Sequence, residues 1–373
     1  MEILILNWRD IKNPASGGAE IYTHEVAKRL VQRGHRITLF CASFPGAKSE
    51  EMIDGVKIIR KGRQWTVHWH AYRWYRKRQI PNSKSQITNH KLQITNYQPH
   101  FDLVIDEINT IPFFTPLYIK KTKIFALIHQ LCRQIWWYEV RFPLNVIGYL
   151  LEPLYLKIYK NIPTITVSQS TKKDLLKLGF KKVFIIENGL NVKPVKKFPS
   201  KTKNPTIIYV GRMKKAKKPQ DAIRAFEIVK KKIKNAQLWM VGEGYLRRKL
   251  KKACAGIKVF GYLDERIKNK LVKKAWVIVV PGTREGWGQV VTDAAALGTP
   301  AIAYNISGLK DSVRHNKTGI MCKENNPECL SKEVIRLIND KKKYQKLQYN
   351  AWRWSKEFSW YKTAKEFIKI INF

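Results

Sequence analysis

The sequence predicts an α/β chain of two domains, each built on a parallel sheet. Three observations predict it. The first residues read strand, glycine-rich loop, helix, strand. A proline- and lysine-rich stretch near mid-chain is followed by a second strand–helix series. A length of 373 residues suits two domains of roughly 150 residues each.

Residues 1–7 (MEILILN) read as a buried strand. Gly17 and Gly18 follow a polar loop, and residues 19–33 place Ile21, Val26, Leu30 and Val31 at helical spacing. Residues 36–41 (RITLFC) complete a βαβ unit. Segments 102–106 (DLVID), 124–128 (IFALI), 164–167 (TITV) and 182–187 (KVFIIE) predict further strands, the last meeting the turn dipeptide Asn188, Gly189. These residues, 1–192, form the expected N-terminal domain. Residues 193–205 are rich in Pro and Lys and poor in large apolar groups, a linker composition. The second domain, 206–352, opens with a strand at 206–210 (TIIYV) and a helix at 221–230. Strands at 237–241, 258–260, 277–280 (VIVV) and 300–303 follow. Their unbroken apolar runs suit parallel sheets covered on both faces. An aromatic, amphipathic helix at 361–371 closes the series. One stretch is foreign to the pattern: residues 81–99 carry QITN twice, at 86–89 and 93–96, with no helical apolar stripe. It reads as a duplicated polar loop insertion, mobile and functionally neutral, with a partner-binding loop as the alternative.

Composition narrows the classes. The chain is 44% hydrophobic and 12% aromatic, which excludes a disordered basic tail. Five scattered cysteines (Cys41, Cys132, Cys254, Cys322, Cys329), none in a C-x-x-C pair, exclude a disulfide-built mini-domain and suit free thiols in a reducing compartment. The first ten residues have no basic n-region, so no targeting segment is expected there. No stretch reaches the roughly 18 apolar residues of a membrane span; the nearest, 142–159, is broken by Asn145, Glu152 and Lys157. A cytoplasmic chain, soluble or peripheral to a membrane, is expected. With 71 basic against 28 acidic residues, the formal net charge is +43. That implies an anionic partner: nucleic acid, an acidic membrane face or phosphorylated small molecules.

Glycine loops and charged groups recur at strand ends. Arg284, Glu285, Gly286, Trp287 and Gly288 follow the strand 277–280 and open a helix that continues through Gln289 and Val290 to Leu297. A helix N-terminus flanked by glycines offers amides to an anion. Glu285 and Asp293, eight residues apart, could accept hydrogen bonds from polyol hydroxyls; on spacing alone they could equally be a helix-terminal charge and a solvated Asp. Gly211 and Arg212 end the strand 206–210, with Lys217 five residues on. Two cations in the crevice of a parallel sheet suit a diphosphate, Arg212 bidentately and Lys217 as a point charge, although Lys214, Lys215 and Lys218 read as solvated. Gly242, Glu243 and Gly244, the Gly17–Gly18 pair and His129 occupy other strand ends; alone each is weak.

Taken in order, Gly17-Gly18, His129, Arg212 and Lys217, Gly242-Glu243-Gly244, and Glu285-Gly-Trp-Gly with an acid eight residues on resemble the family 4 glycosyltransferases over nearly the whole chain. The run REGWGQVVTDAAALGTP carries the likeness most specifically, supported by NWRD…GGAE, by Val167 to Ser170 and by Gly308-Leu309. The resemblance implies the GT-B fold, two facing Rossmann-like domains, with a C-terminal helix (353–373) returning to the N-terminal domain. It implies a retaining, metal-independent transfer from a nucleotide-diphosphate sugar, with no cofactor and with the leaving phosphate accepting the acceptor's proton. His129, Glu285, Arg212 and Lys217 then fall on catalytic positions. Arg212 and Lys217 fall on the diphosphate-binding cations, Glu285 on the acid that meets the donor sugar, and Asp293 on the acid that meets the ribose. Gly17, Gly18, Gly211, Gly242, Glu243 and the backbone of Gly286, Trp287, Gly288, Gln289 and Val290 complete the donor site. Asp293 stands where Glu is usual, Lys218 where Gly is common, Gly282 where Ser is common, and Gln130 where an acid is frequent. No Asp-x-Asp metal motif is present.

The acceptor side is less specific. Trp136, Trp137, Tyr138, Phe142, Tyr149, Tyr155 and Tyr159 interleave with Arg133 and Arg141, and 65–78 (WTVHWHAYRWYRKR) has the same flavour. These aromatics suit a helical core, a membrane interface or single-stranded nucleic acid. His68 and His70 lack a nearby third ligand beyond His24 or His35, so no metal is expected. The lysine runs at 230–232, 247–252 and 341–343 read as solvated helix faces, so the charge speaks for anionic lipid more than nucleic acid. The expectation is a hexosyltransferase acting on a lipid-linked or cell-envelope glycan at the inner membrane face. The alternatives are a soluble-acceptor transferase and a non-catalytic basic protein that binds lipid or nucleic acid.

Overall fold

The structure is a computed structural model that describes residues 1–79, 100–250 and 255–372. The expected insertion at 81–99 and Cys254 lie outside these residues. The N-terminal domain contributes β1 (Glu2–Leu6), β2 (Arg36–Cys41), β3 (Glu50–Ile53), β4 (Val56–Arg60), β5 (Leu103–Glu107), β6 (Lys123–Leu127), β7 (Thr164–Thr166) and β8 (Val183–Ile185). They form one sheet in the order β3-β4-β2-β1-β5-β6-β7-β8, parallel except for β3 against β4. The C-terminal domain contributes β9 (Thr206–Val210), β10 (Gln237–Val241), β11 (Ile257–Gly261), β12 (Val277–Val280), β13 (Ala301–Ala303) and β14 (Gly319–Met321), in the order β11-β10-β9-β12-β13-β14, all parallel. The expected two parallel sheets are both present.

Strand order reverses between β1 and β5 and again between β9 and β12. Such switch points open a crevice beyond the carboxyl ends of the strands. The loops that leave β1 and β9 there are the ones that carry Gly17 and Arg212.

The sequence reading passed over the β3–β4 hairpin, whose turn is Asp54 (φ 49°) and Gly55 (φ 80°). Asp-Gly between short apolar runs is itself the signal for such a turn. The C-terminal return also begins differently. Helix Lys341–Ser355 runs past the expected break at 353, and residues 356–359 lead into helix Trp360–Ile371. Trp354, Phe358, Trp360, Phe367 and Ile371 join Ile3, Tyr22 and Val26 in one core, so the C-terminal helix is built into the N-terminal domain. Thr363 Oγ1 donates to the Glu187 carbonyl at 2.8 Å and Lys123 Nζ to the Ile371 carbonyl at 3.2 Å.

Residues 193–205 are a strap rather than a free linker. Val195 N donates to the Ala296 carbonyl (2.9 Å), and Phe198 packs edge-on against Trp352 at 5.5 Å. Lys201 Nζ reaches the carbonyls of Lys273 (3.0 Å) and Gly298 (2.8 Å) and Thr299 Oγ1 (2.9 Å). A few apolar anchors and one lysine satisfied by three acceptors hold this connecting segment against the C-terminal domain. Among the described residues, no helix is long and apolar enough to cross a membrane.

Candidate active site

Two loops of opposite domains face each other across the crevice. On the N-terminal side, Gly17 caps helix Gly18–Val31, its amide donating to Glu20 Oε2 at 2.6 Å. A Cβ on Gly17 would lie 3.7 Å from Arg212 Nη2, and Arg212 Nη1 reaches the Ala15 carbonyl at 3.5 Å. Gly18 faces open space. Arg9 stands in the same place, paired with Glu20 at 2.7 Å and donating to the Ala15 carbonyl at 2.7 Å. Burial pushes the Arg9 guanidinium down from its ordinary value, Glu20 opposes this, and Arg212 adds to it. Lys214 is likewise pushed down, by burial first and then by Arg212, with Arg9 and Lys217 contributing. Like charges crowded this way gain from a polyanion that neutralises them.

The loop after β9 is fixed at both ends by Tyr209, whose hydroxyl lies 3.1 Å from the Arg212 carbonyl and 3.3 Å from that of Lys217. Burial, with Glu285 adding, pushes the ionisation of Tyr209 well up, so the hydroxyl stays a donor. Lys217 Nζ forms an ion pair with Glu285 Oε1. Gly211 sits on the Tyr209 ring, its Cβ position 3.3 Å from the hydroxyl.

His129 follows β6 and is 7% exposed. Its Nε2 stands 3.3 Å from Glu107 Oε1 without the alignment of a hydrogen bond, so this buried nitrogen has no partner. The ring packs edge-on against Tyr22 at 5.1 Å. Glu107 ends β5, is fully buried and accepts from Thr23 Oγ1 at 2.5 Å; Asn109 Nδ2 lies 3.3 Å away. The backbone of His129 meets the C-terminal domain directly. A Cβ on Gly286 would come within 2.8 Å of the His129 carbonyl, so only glycine lets the two domains close here.

The side chains of several residues named for the donor site make contacts within the protein, whereas the expectation for Gly286 to Val290 concerns their backbone. Trp287 is 4% exposed and packs edge-on against Phe358 at 5.3 Å, so its ring is core and only its backbone borders the crevice. Gln289 bridges Asn188, the Gly189 carbonyl and Asp293. Asp293 is buried, and both its oxygens are occupied. Oδ1 accepts from Asn191 N (3.0 Å) and Gln289 Nε2 (3.1 Å), and Oδ2 from Asn191 Nδ2 (3.1 Å). Burial pushes its carboxyl up to about 6 against these hydrogen bonds. The contacts with Asn191 hold it at the junction of the two domains. Glu243 accepts from Arg247 Nη1 (2.6 Å) and Tyr262 N (3.2 Å), while Gly242 (φ 137°) is required because a Cβ would run into the Gly211 carbonyl. Val290 packs half-buried into the core cluster of the β12 face. His68 Nε2 meets the Ile111 carbonyl at 3.2 Å, and its ring lies on Phe113.

The structure thus brings together Gly17, Arg212, Lys217, Glu285, Gly286 and His129. It adds Arg9, Glu20, Glu107 and Tyr209, which sequence reasoning missed. The signal for Glu107 was its position, an acid at a strand end beside the strand that delivers His129.

The profile described as Glycosyltransferase Family 4 matches residues 16–193, and that described as Glycosyl transferases group 1 matches residues 193–354. The chain is 28% identical over 239 residues to an uncharacterized glycosyltransferase of Methanocaldococcus jannaschii, a match that covers 58% of this chain and 61% of that protein. It is 22% identical to the glycogen synthase of Mycobacterium tuberculosis, over 98% of this chain and 92% of that one. Among solved structures, sucrose-phosphate synthase of Thermosynechococcus elongatus superposes with a TM-score of 0.76 at 18% identity, covering 100% of this chain and 98% of that one. HepE of Anabaena, in complex with UDP and glucose, superposes at 0.72 and 14% identity, covering 100% and 99%. These structures share the fold of this chain, the GT-B pairing of two Rossmann-like domains.

Proposed function

Because the chain belongs to the family 4, group 1 glycosyltransferases, we propose that it moves a hexosyl unit, with retention, from a nucleotide-diphosphate sugar to a hydroxyl of a lipid-linked or cell-envelope glycan at the cytoplasmic face of a membrane. The observation that carries the donor reading is the cation cluster. Arg9, Arg212, Lys214 and Lys217 crowd one crevice beside the N-terminus of helix Gly18–Val31. A diphosphate neutralises that cluster, and the same cations stabilise the charge that grows on it as the sugar leaves. HepE, a structural neighbour solved with UDP and glucose and with UDP-glucose, supports the donor class.

In this reading Glu285, held by Lys217, accepts hydrogen bonds from the donor sugar. His129, its ring held edge-on against Tyr22, serves the sugar beside the anomeric carbon. The closed crevice holds donor and acceptor together and excludes water. The leaving phosphate takes the acceptor's proton, and no metal or cofactor takes part. The backbone at Gly286 and Gly288 lies along the sugar and phosphate.

The test is a thermal-shift and turnover screen of UDP-, GDP- and ADP-sugars. Stabilisation by at least one, with release of free nucleotide, is expected; stabilisation by single-stranded nucleic acid alone would sink the reading. A soluble acceptor is the second reading, favoured by the end-to-end likeness to a glycogen synthase. Transfer to soluble glucans without any lipid-linked acceptor would select it.

A further inference from the structure

Helix Leu144–Leu156 is inside out. Its buried positions are Gly148, Glu152 and Leu156, while Leu144, Leu150 and Leu154 are 62, 59 and 53% exposed. Ile147 and Leu151 extend the same outward face, and Phe142, just before the helix, is 81% exposed. The one charged residue in the helix, Glu152, points inward, where it accepts from the amides of Cys132 (2.6 Å) and Arg133 (2.7 Å) and from Trp136 Nε1 (3.3 Å). Surface helices of globular domains present the opposite pattern. A contiguous outward apolar face is a binding surface.

We propose that this helix seats the chain on an anionic lipid bilayer and that the seat is linked to the donor loop through Glu139. The first half rests on the reading that the acceptor is held at a membrane. Charge selects the occupant. The chain carries +43, and exposed Arg141 and Lys157 bracket the helix, where their stems lie along an apolar surface and their heads reach phosphates. With 13 residues the helix is too short to span and lies in the interface plane. Exposed Trp137 and Tyr138 on the neighbouring helix Ile135–Glu139 supply interfacial anchors.

The linkage is a chain of contacts. Trp136 lies on Gly148, which has no room for a Cβ beneath the ring, and Trp137 packs on Tyr149 at 5.5 Å. The helix that carries both tryptophans ends in Glu139. Its carboxylate accepts from Ala216 N at 2.8 Å and from the Tyr245 hydroxyl at 3.2 Å, across the domain boundary. Ala216 is the middle residue of the turn Lys215–Lys217, which presents Lys217 to Glu285. A bilayer that steadies the helix pair therefore steadies the donor loop in its closed position.

The full chain is sedimented with vesicles of phosphatidylcholine alone or mixed with phosphatidylglycerol, at low and moderate salt, and affinity for the nucleotide-sugar donor is followed in parallel. Binding to the anionic vesicles, weakening as salt rises, is expected, together with a rise in donor affinity. The double variant Leu150→Asp, Leu154→Asp should bind vesicles about a hundredfold more weakly while binding donor normally without vesicles. Glu139→Ala should bind vesicles like the parent but lose the vesicle-driven rise. Parent-like sedimentation of the leucine variant overturns the seat. So does a parent dimer that the variant converts to monomer, which would assign the face to a second copy. A vesicle-driven rise that survives Glu139→Ala overturns the linkage. Vesicle binding without turnover of any nucleotide sugar leaves the seat standing and sinks the enzymatic reading instead.

Discussion

Lys217 and Glu285, 68 residues apart in the chain, form an ion pair at the mouth of the crevice, with side chains only 26% and 17% exposed. Each holds the other in place before a ligand arrives, so the donor meets a formed site. Lys217→Ala removes a cation from the diphosphate and releases Glu285. Its kcat/KM for the donor should fall by about a hundredfold to a thousandfold. Glu285→Gln should lower kcat on a similar scale, and the double variant should lose far less than the product of the two. Near-normal steady-state turnover in both Lys217→Ala and Arg212→Ala would remove the assignment.

Glu107 stands 3.3 Å from His129 Nε2 at the bottom of the crevice. The fully buried carboxylate places a negative charge beside the ring without an aligned hydrogen bond to it. Glu107→Gln keeps the shape but not the charge, so kcat should drop about tenfold to a hundredfold while the donor KM barely moves. A change confined to KM would instead place Glu107 in donor binding.

The fold was legible because its strands are short continuous apolar runs at regular intervals, as in TIIYV and VIVV. The site was legible only where a residue's chemistry and its position at a strand end coincide, as for Arg212, Lys217 and His129. Trp287, Gln289 and Asp293 lie in the most family-like run, yet their side chains face Phe358, Asn188 and Asn191. Those partners are distant in sequence, and no local spacing announces them. Lys201 failed for the same reason. In sequence it is one more linker lysine, but the fold surrounds it with acceptors from Lys273, Gly298 and Thr299.

Gly308 (φ 82°) lies against the Glu285 carbonyl, with no space for a Cβ. Gly308→Ala must move either its own loop or Glu285. A destabilisation of about 1–3 kcal/mol is expected from the backbone conformation. The displaced Glu285 should also lose turnover well beyond the fraction unfolded. Urea melts beside donor kinetics separate the two effects; full activity per folded molecule would show that Glu285 does not depend on this contact.

Asp293 makes the stability of the domain junction depend on pH. Burial pushes its carboxyl from the ordinary 3.8 up to about 6. Between those values the folded chain holds a proton that the unfolded chain has lost, so this group's contribution to stability declines as pH rises from about 4 to 6. Above that window the carboxylate stays charged and buried among Asn191 and Gln289, at a cost of up to about 3 kcal/mol. Asp293→Asn removes the titration but turns an amide NH2 toward at least one of these three N–H donors, a penalty that does not vary with pH. The stability of the variant relative to the parent should therefore improve by about 2 kcal/mol between pH 4.5 and pH 7 in urea unfolding. Parallel stability profiles for the two proteins would mean that Asp293 ionises normally and that its carboxylate is open to solvent or ligand.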